Sequence, residues 1–172
     1  METLPNHVIF KEAEAALKKG KQVVIRVVGK SMEPFLIDGK DVVKITPLFS
    51  DKLHRGDIVL FKVNDFYCLH RIIQMKGKRI ILCGDGIYQT IESIIRENVI
   101  GVLDSVIRES GDVVTCNSMK WKIMSCIWMA LFPFRIYILL IYQKWNKVKQ
   151  NSRGVTCRKC SKSGINSTQG IS

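Results

Sequence analysis

The stretch RGDIVLFKVNDFYCLHRIIQMKGKRIILCGDG, residues 55–86, decides how this chain folds. It holds three short β-branched runs, DIVLFKV, YCLHRII and RIILC, with no helical spacer between them. Such runs suit the pleated, half-buried surface of a sheet, and Gly, Asp and Asn punctuate them where a chain must turn. Lys76-Gly77-Lys78 sits between two of the runs and predicts a hairpin turn. Working outward, QVVIRVVG and DVVKI precede the stretch and VIGVLDSVI follows it. Six such runs between Gln22 and Ile107 predict a mainly β fold, a compact antiparallel domain over residues 22–116. Ahead of it, Val8, Ala15 and Leu17 alternate with Lys and Glu, and Gly20 is placed to end a helix. Residues 1–21 are therefore expected to hold a short N-terminal helix, from His7 to Lys19.

A different pattern begins near Trp121. From Ile123 to Tyr142, IMSCIWMALFPFRIYILLIY carries one charge, Arg135, and one proline, Pro133. Lys120 and Lys122 precede it, and Lys144, Lys147 and Lys149 follow. Trp121, Trp128, Tyr142 and Trp145 place amphipathic rings near its ends, as interface segments do. At about 1.5 Å per residue the run is long enough to cross a bilayer. A domain this small has no core large enough to cover such a helix on all sides. Residues 120–149 are thus expected to form a membrane-associated helix with lipid as its partner, either spanning or lying in the interface, with a kink invited by Pro133. The Ser-, Gly- and Asn-rich basic segment 150–172 reads as a disordered tail.

Charge supports the same division. The 172 residues hold 27 Lys and Arg against 15 Asp and Glu, a net charge of +12. Residues 1–112 carry 17 of the basic groups and every acid, while residues 113–172 carry ten basic groups and no acid. A nucleic-acid-binding fold would place its basic stripe on the folded body, so no nucleic-acid partner is expected. A basic, acid-free last third instead suits an anionic membrane surface, and association with the inner, cytoplasmic membrane is expected, with the side that the catalytic domain faces left open. Six cysteines are too few for a disulfide scaffold in a chain of this length. Cys157 and Cys160 form a CxxC, but no second pair completes a zinc site, so neither metal nor cofactor is expected. The N-terminus has no apolar run of the kind a signal peptide needs.

The chemistry centres on VVGKSMEPFLIDG, residues 27–39, where a strand ends at Gly29 and Pro34 prevents its continuation. A serine at a strand exit can stand exposed with its backbone amide free, as an acyl-enzyme nucleophile requires. Behind Ser31 come Arg55-Gly56-Asp57, then Leu69-His70-Arg71-Ile72-Ile73, then Cys83-Gly84-Asp85-Gly86. With these residues in this order, Val23 to Gly111 resembles the S24/S26-type serine peptidases, the clan of type I signal peptidases and self-cleaving SOS repressors. The resemblance rests on GxSMEP at Gly29–Pro34, RGDIV at Arg55–Val59, LHRII at Leu69–Ile73, Gly84-Asp85, and Ile100–Val102.

The resemblance implies a signal-peptidase- or repressor-like β fold and a serine endopeptidase that removes signal or leader segments from peptides or preproteins. It makes Ser31 the nucleophile. His70 stands where bacterial signal peptidases and the repressors carry a lysine base, as in the endoplasmic-reticulum and archaeal-like branch. In that branch Asp85 inherits the role of supporting the histidine. A neutral imidazole is a competent base near neutral pH, whereas Lys62, Lys76 and Lys78 are not at the family's lysine position. His7 and His54 have no comparable setting. Two departures stand out. Gly29 occupies the position, two before the nucleophile, where many signal peptidases have a hydroxyl, so an oxyanion would rest on backbone donors. The second acid that follows the GD motif in the eukaryotic branch is replaced by Gln89 and Thr90, with Glu92 as a substitute. The alternatives are a self-cleaving regulator, against which the short segment before Ser31 and the lack of an Ala-Gly bond there both count, and a non-catalytic membrane-bound peptide-binding adaptor.

Overall fold

In the computed structural model, which describes residues 6–48, 53–87, 90–142 and 144–145, the deciding stretch forms three consecutive antiparallel strands. They are β3 (Ile58–Val63), β4 (Phe66–Lys76) and β5 (Arg79–Cys83). Two-residue turns join them. Asn64 and Asp65, with φ of 47° and 66°, close the pair Val63–Phe66, and Gly77-Lys78 close Lys76–Arg79. Both central residues of the first turn and Gly77 (φ 57°) of the second have positive φ, as in the two-residue turns whose twist matches the strands they connect.

Around them lie β1 (Val23–Arg26), β2 (Val42–Pro47), β6 (Ile91–Ile95), β7 (Val99–Ile107) and β8 (Val113–Thr115). All pairings are antiparallel, in the order β1-β2-β7-β3-β4-β5-β6, with β8 also on β7. The mainly β architecture expected from the sequence is therefore the architecture found, with two more strands than its six runs. In β6 the sequence IESII buries only Ile94, and β8 is three residues long, so neither carries much hydrophobic signal.

Val59, Phe61, Ile72, Ile80, Leu82 and Ile94 form the core of the sheet. Each such side chain contributes about 1.5–3 kcal/mol by leaving water. Helix α1 (Asn6–Lys18) packs against β1, β2, β4 and β7 and buries Ala13 and Leu17.

Helix α2 (Met119–Ala130) begins at Ser118, whose hydroxyl accepts from the Trp121 amide at 3.3 Å. It belongs to the compact unit Met1–Phe132 and buries Trp121, Ser125 and Trp128, spaced for one face. Its outer face exposes Met119, Ile123, Met124 and Ile127. The apolar run is thus divided: α2 stops at Ala130, Pro133 sits in a turn of 3-10 helix at Phe132–Phe134, and residues 135–142 are helical again. Proline lacks the amide that a continuous helix would need there. Among the described residues no single helix is long and apolar enough to cross a membrane, though the two stretches together pass for one broken span by length and composition. The expected tail over 150–172, with Cys157 and Cys160, lies outside the described residues, as do Gln89, Lys147 and Lys149.

Candidate active site

Successive residues of a strand point to opposite faces, and β4 uses this to separate the neighbours His70 and Arg71. His70, 5% exposed, lies beside the Phe61 ring at 5.7 Å. Its Nδ1 is 2.6 Å from Glu92 Oε2. The register explains the meeting: Glu92 is opposite Leu82 and Leu82 opposite Ile72, which shares a face with His70 two residues back. In a neutral imidazole, Nδ1–H donating to Glu92 leaves Nε2 as the accepting nitrogen.

Nε2 lies beside the backbone of the Cys83–Gly86 loop. A Cβ at Gly84 would stand 3.2 Å from Nε2 and only 2.5 Å from the Ser31 carbonyl oxygen. At Gly86 it would stand 2.5 Å from the Lys30 carbonyl oxygen, and the Gly86 amide donates to Ser31 O at 2.7 Å. The GD motif is therefore a backbone clamp. Its glycines let the loop lie flat against the serine segment, and a side chain at either would push that segment away.

The serine segment is braced from within by two carboxylates. Asp38 accepts from the Gly29 amide at 2.9 Å, and buried Asp41 accepts from the Ile37 amide at 2.8 Å and from the Arg108 guanidinium. Gly29 has φ of +95°, a conformation that L side chains rarely adopt, which gives a physical reason for glycine where a hydroxyl-bearing residue was the alternative. Among the described residues nothing accepts from the Ser31 backbone amide.

Ser31 and His70 line the same groove, of about 190 Å³, whose walls are largely aliphatic. The only hydrogen bond of the His70 ring among the described residues is to Glu92. Cys68 also lines the groove; burial, with a smaller contribution from Glu92, pushes its thiol up, away from the nucleophilic thiolate. Burial likewise raises the carboxyl of Glu33, next but one to Ser31.

Asp85 is placed differently from the expectation that it supports His70. Fully buried, it accepts from Arg71 Nε at 3.0 Å and Nη2 at 2.6 Å, and from Trp128 Nε1 at 3.1 Å. The reason is strand alternation: His70 and Arg71 leave β4 on opposite faces, and the GD loop, whose Gly84 backbone lies beside His70, turns the Asp85 carboxylate to Arg71. Arg71 also donates to Gly56 O and Ser125 Oγ, each at 2.9 Å, and lies 4.5 Å over the Phe35 ring. The carboxylate on His70 is that of Glu92, and its sequence signal was an acid shortly after the GD pair. Elsewhere, His54 is an exposed turn residue with Nδ1 3.6 Å from Asp57, and Lys62 pairs with Asp65 at 3.1 Å. Among the described residues no group of three or more His, Cys, Asp or Glu is placed to hold a metal ion.

The family model described as Peptidase S24-like matches residues 2–104, a span that takes in Ser31, His70, Asp85 and Glu92 and more than half of the chain. No significant match is found among curated proteins.

Proposed function

The chain belongs to the Peptidase S24-like family, and from that premise we propose that it is a serine endopeptidase with Ser31 as nucleophile, His70 as general base and Glu92 as the carboxylate that orients the base. The observation that carries this reading is the shared groove: Ser31 faces it together with a histidine whose Nδ1 is already committed to a carboxylate. Nε2 takes the Ser31 hydroxyl proton as Oγ attacks the peptide carbonyl. The Ser31 amide donates to the oxyanion. The imidazolium, stabilised by Glu92, then protonates the leaving amine. Water, deprotonated by the same nitrogen, cleaves the acyl-enzyme and restores Ser31.

The substrate class proposed is the signal or leader segment of a peptide or preprotein, held near a membrane. Support for the membrane comes from the apolar outer face of α2, the apolar sequence of residues 136–142, and the acid-free basic flanks. Flotation with anionic vesicles tests this part, and recovery of the full chain in the unbound fraction at low salt refutes it.

Labelling with a phosphonofluoridate tests the chemistry. We expect a single adduct on Ser31 that Ser31→Ala abolishes, together with peptide cleavage reduced more than about 1,000-fold and an unchanged melting temperature. Cleavage that survives Ser31→Ala refutes the assignment.

A further inference from the structure

Helix α1 has no part in the chemistry above, yet it reaches the groove. Phe10 of α1 lines the groove alongside Ser31 and His70, and so does Tyr67 of β4. The two rings stack at 5.3 Å with their planes 12° apart. One turn further along α1, Glu14 accepts a hydrogen bond from the Tyr67 hydroxyl at 2.7 Å. Phe10 and Glu14 are four residues apart, so one face of the helix grips the tyrosine twice, by ring and by hydroxyl. The phenol's polar end is thereby turned to α1, and its ring faces a groove with Ile25, Met32 and Leu60 in its walls.

Resting on the peptidase reading, in which the groove beside Ser31 takes the apolar side chain next to the bond being cut, we propose that Phe10 of α1, stacked on Tyr67, is a specificity-determining residue of this chain, its ring being the wall that sets how large that side chain can be. The occupant follows from continuity: the groove opens beside Ser31 and His70, so what fills it is the part of the substrate next to the bond being cut. The lining offers aliphatic contact and, apart from Arg26, whose guanidinium donates to Gly39 O at 2.9 Å, no charged side chain, which favours an aliphatic occupant and penalises a cationic one, since it would meet no carboxylate. The wall is held by a ring stack and a hydrogen bond instead of a flexible loop, so its position is fixed before substrate arrives.

Binding is measured on full-length Ser31→Ala by calorimetry, which needs no turnover. The probes are otherwise identical alanine-rich hexapeptides whose one variable position runs Ala, Val, Leu, Phe, Trp, Lys. We expect affinity to peak at Val or Leu, to fall at Trp, and to be lost at Lys. Adding Phe10→Ala should raise the Trp-to-Val affinity ratio at least about tenfold, as the removal of a pocket wall does. Phe10→Leu, which keeps an apolar contact on Tyr67, should move the ratio in the same direction by about threefold and carries the test if the alanine variant does not fold. An unchanged ratio in the folded variant, or no peptide bound in any case, overturns the proposal. Cleavage of the same peptides by the chain with Ser31 intact is scored separately. Selective binding without cleavage refutes the catalytic reading and leaves the subsite standing.

Discussion

The neighbours His70 and Arg71 each meet a carboxylate, and the two pairs differ in nearly everything else. Arg71 and Asp85 have side chains 1% and 0% exposed, and the surrounding donors and acceptors come from β4, the RGD turn, the GD loop and α2. His70 and Glu92 are 6% and 29% exposed and join at a single contact of 2.6 Å beside a groove. A buried guanidinium whose hydrogens are aimed at fixed acceptors cannot move without leaving charges unpaired. A half-open carboxylate on an imidazole can follow the ring through a change of charge. The first arrangement holds segments together; the second leaves a nitrogen free to take a proton. One strand supplies both, because alternation sends consecutive side chains to different surroundings.

The largest expected effect comes from breaking the structural pair. Asp85→Ala leaves Arg71 buried without its carboxylate, and we expect a loss of about 3–5 kcal/mol in chemical denaturation, with little folded protein at 37 °C. Ending the chain at Gly111 should be as severe, because it removes Ser125 from Arg71 and Trp128 from Asp85. The family match ends at residue 104, but the fold continues through α2. A stable, fully active fragment 1–111 would show that α2 is only an anchor.

The second effect is on rate alone. Glu92→Gln keeps the shape but removes the charge that stabilises the imidazolium and fixes its tautomer, so kcat/KM should fall roughly 10²–10⁴-fold. Stability should change by less than about 1 kcal/mol, since the pair is partly solvated. If Asp85→Asn is the change that lowers kcat in a folded protein while Glu92→Gln does not, the roles of the two carboxylates are exchanged.

Trp128→Phe is milder. It keeps an aromatic ring beside Phe35 but takes one neutral donor from Asp85, and should cost about 1–3 kcal/mol. Activity per folded molecule should fall less than threefold. A larger loss of kcat would mean that α2 positions the reacting groups as well as the fold.

The sequence made half of this contrast legible. The sheet could be read from runs such as DIVLFKV and RIILC, because a strand buried on a face writes its pattern directly into β-branched residues, and SMEP and LHRII marked Ser31 and His70 as candidates, which the fold brings to one groove. Glu92 was only a substitute in that reading. It sits on β6, whose IESII buries one residue, so the strand that delivers the carboxylate has almost no hydrophobic signature. That Asp85 meets Arg71 was not legible, because adjacency in a motif does not reveal to which face of β4 a loop turns its side chain. The inward face of α2 was hidden for another reason. Trp121, Ser125 and Trp128 sit among residues as apolar as themselves, and no polar face marked which side would pack on a buried arginine. Nor did the composition of VIFKEAEAALK distinguish a helix that merely covers the sheet from one that walls a groove.

A third carboxylate gives the smallest effect and a different dependence on pH. Glu14 bonds Lys18 at 2.6 Å and accepts from the Tyr67 hydroxyl, and these hold its carboxyl below the ordinary value of 4.5, with the Lys18 contact the larger cause. A depressed folded-state value means that the contribution to stability is present above about pH 4.5 and is lost as pH falls through the folded value. Lys18 is well exposed, so solvent screens the pair and the contribution is small. Melting temperatures of the unaltered chain and of Glu14→Gln should therefore differ slightly at pH 7 and draw together as pH is lowered below 4.5. Added salt at pH 7 should close part of the gap by screening Lys18, while the Tyr67 hydrogen bond remains. A gap that persists undiminished as pH falls well below 4.5 would place the contribution of Glu14 in packing, and would leave the grip of α1 on Tyr67 to the stacked Phe10 ring alone.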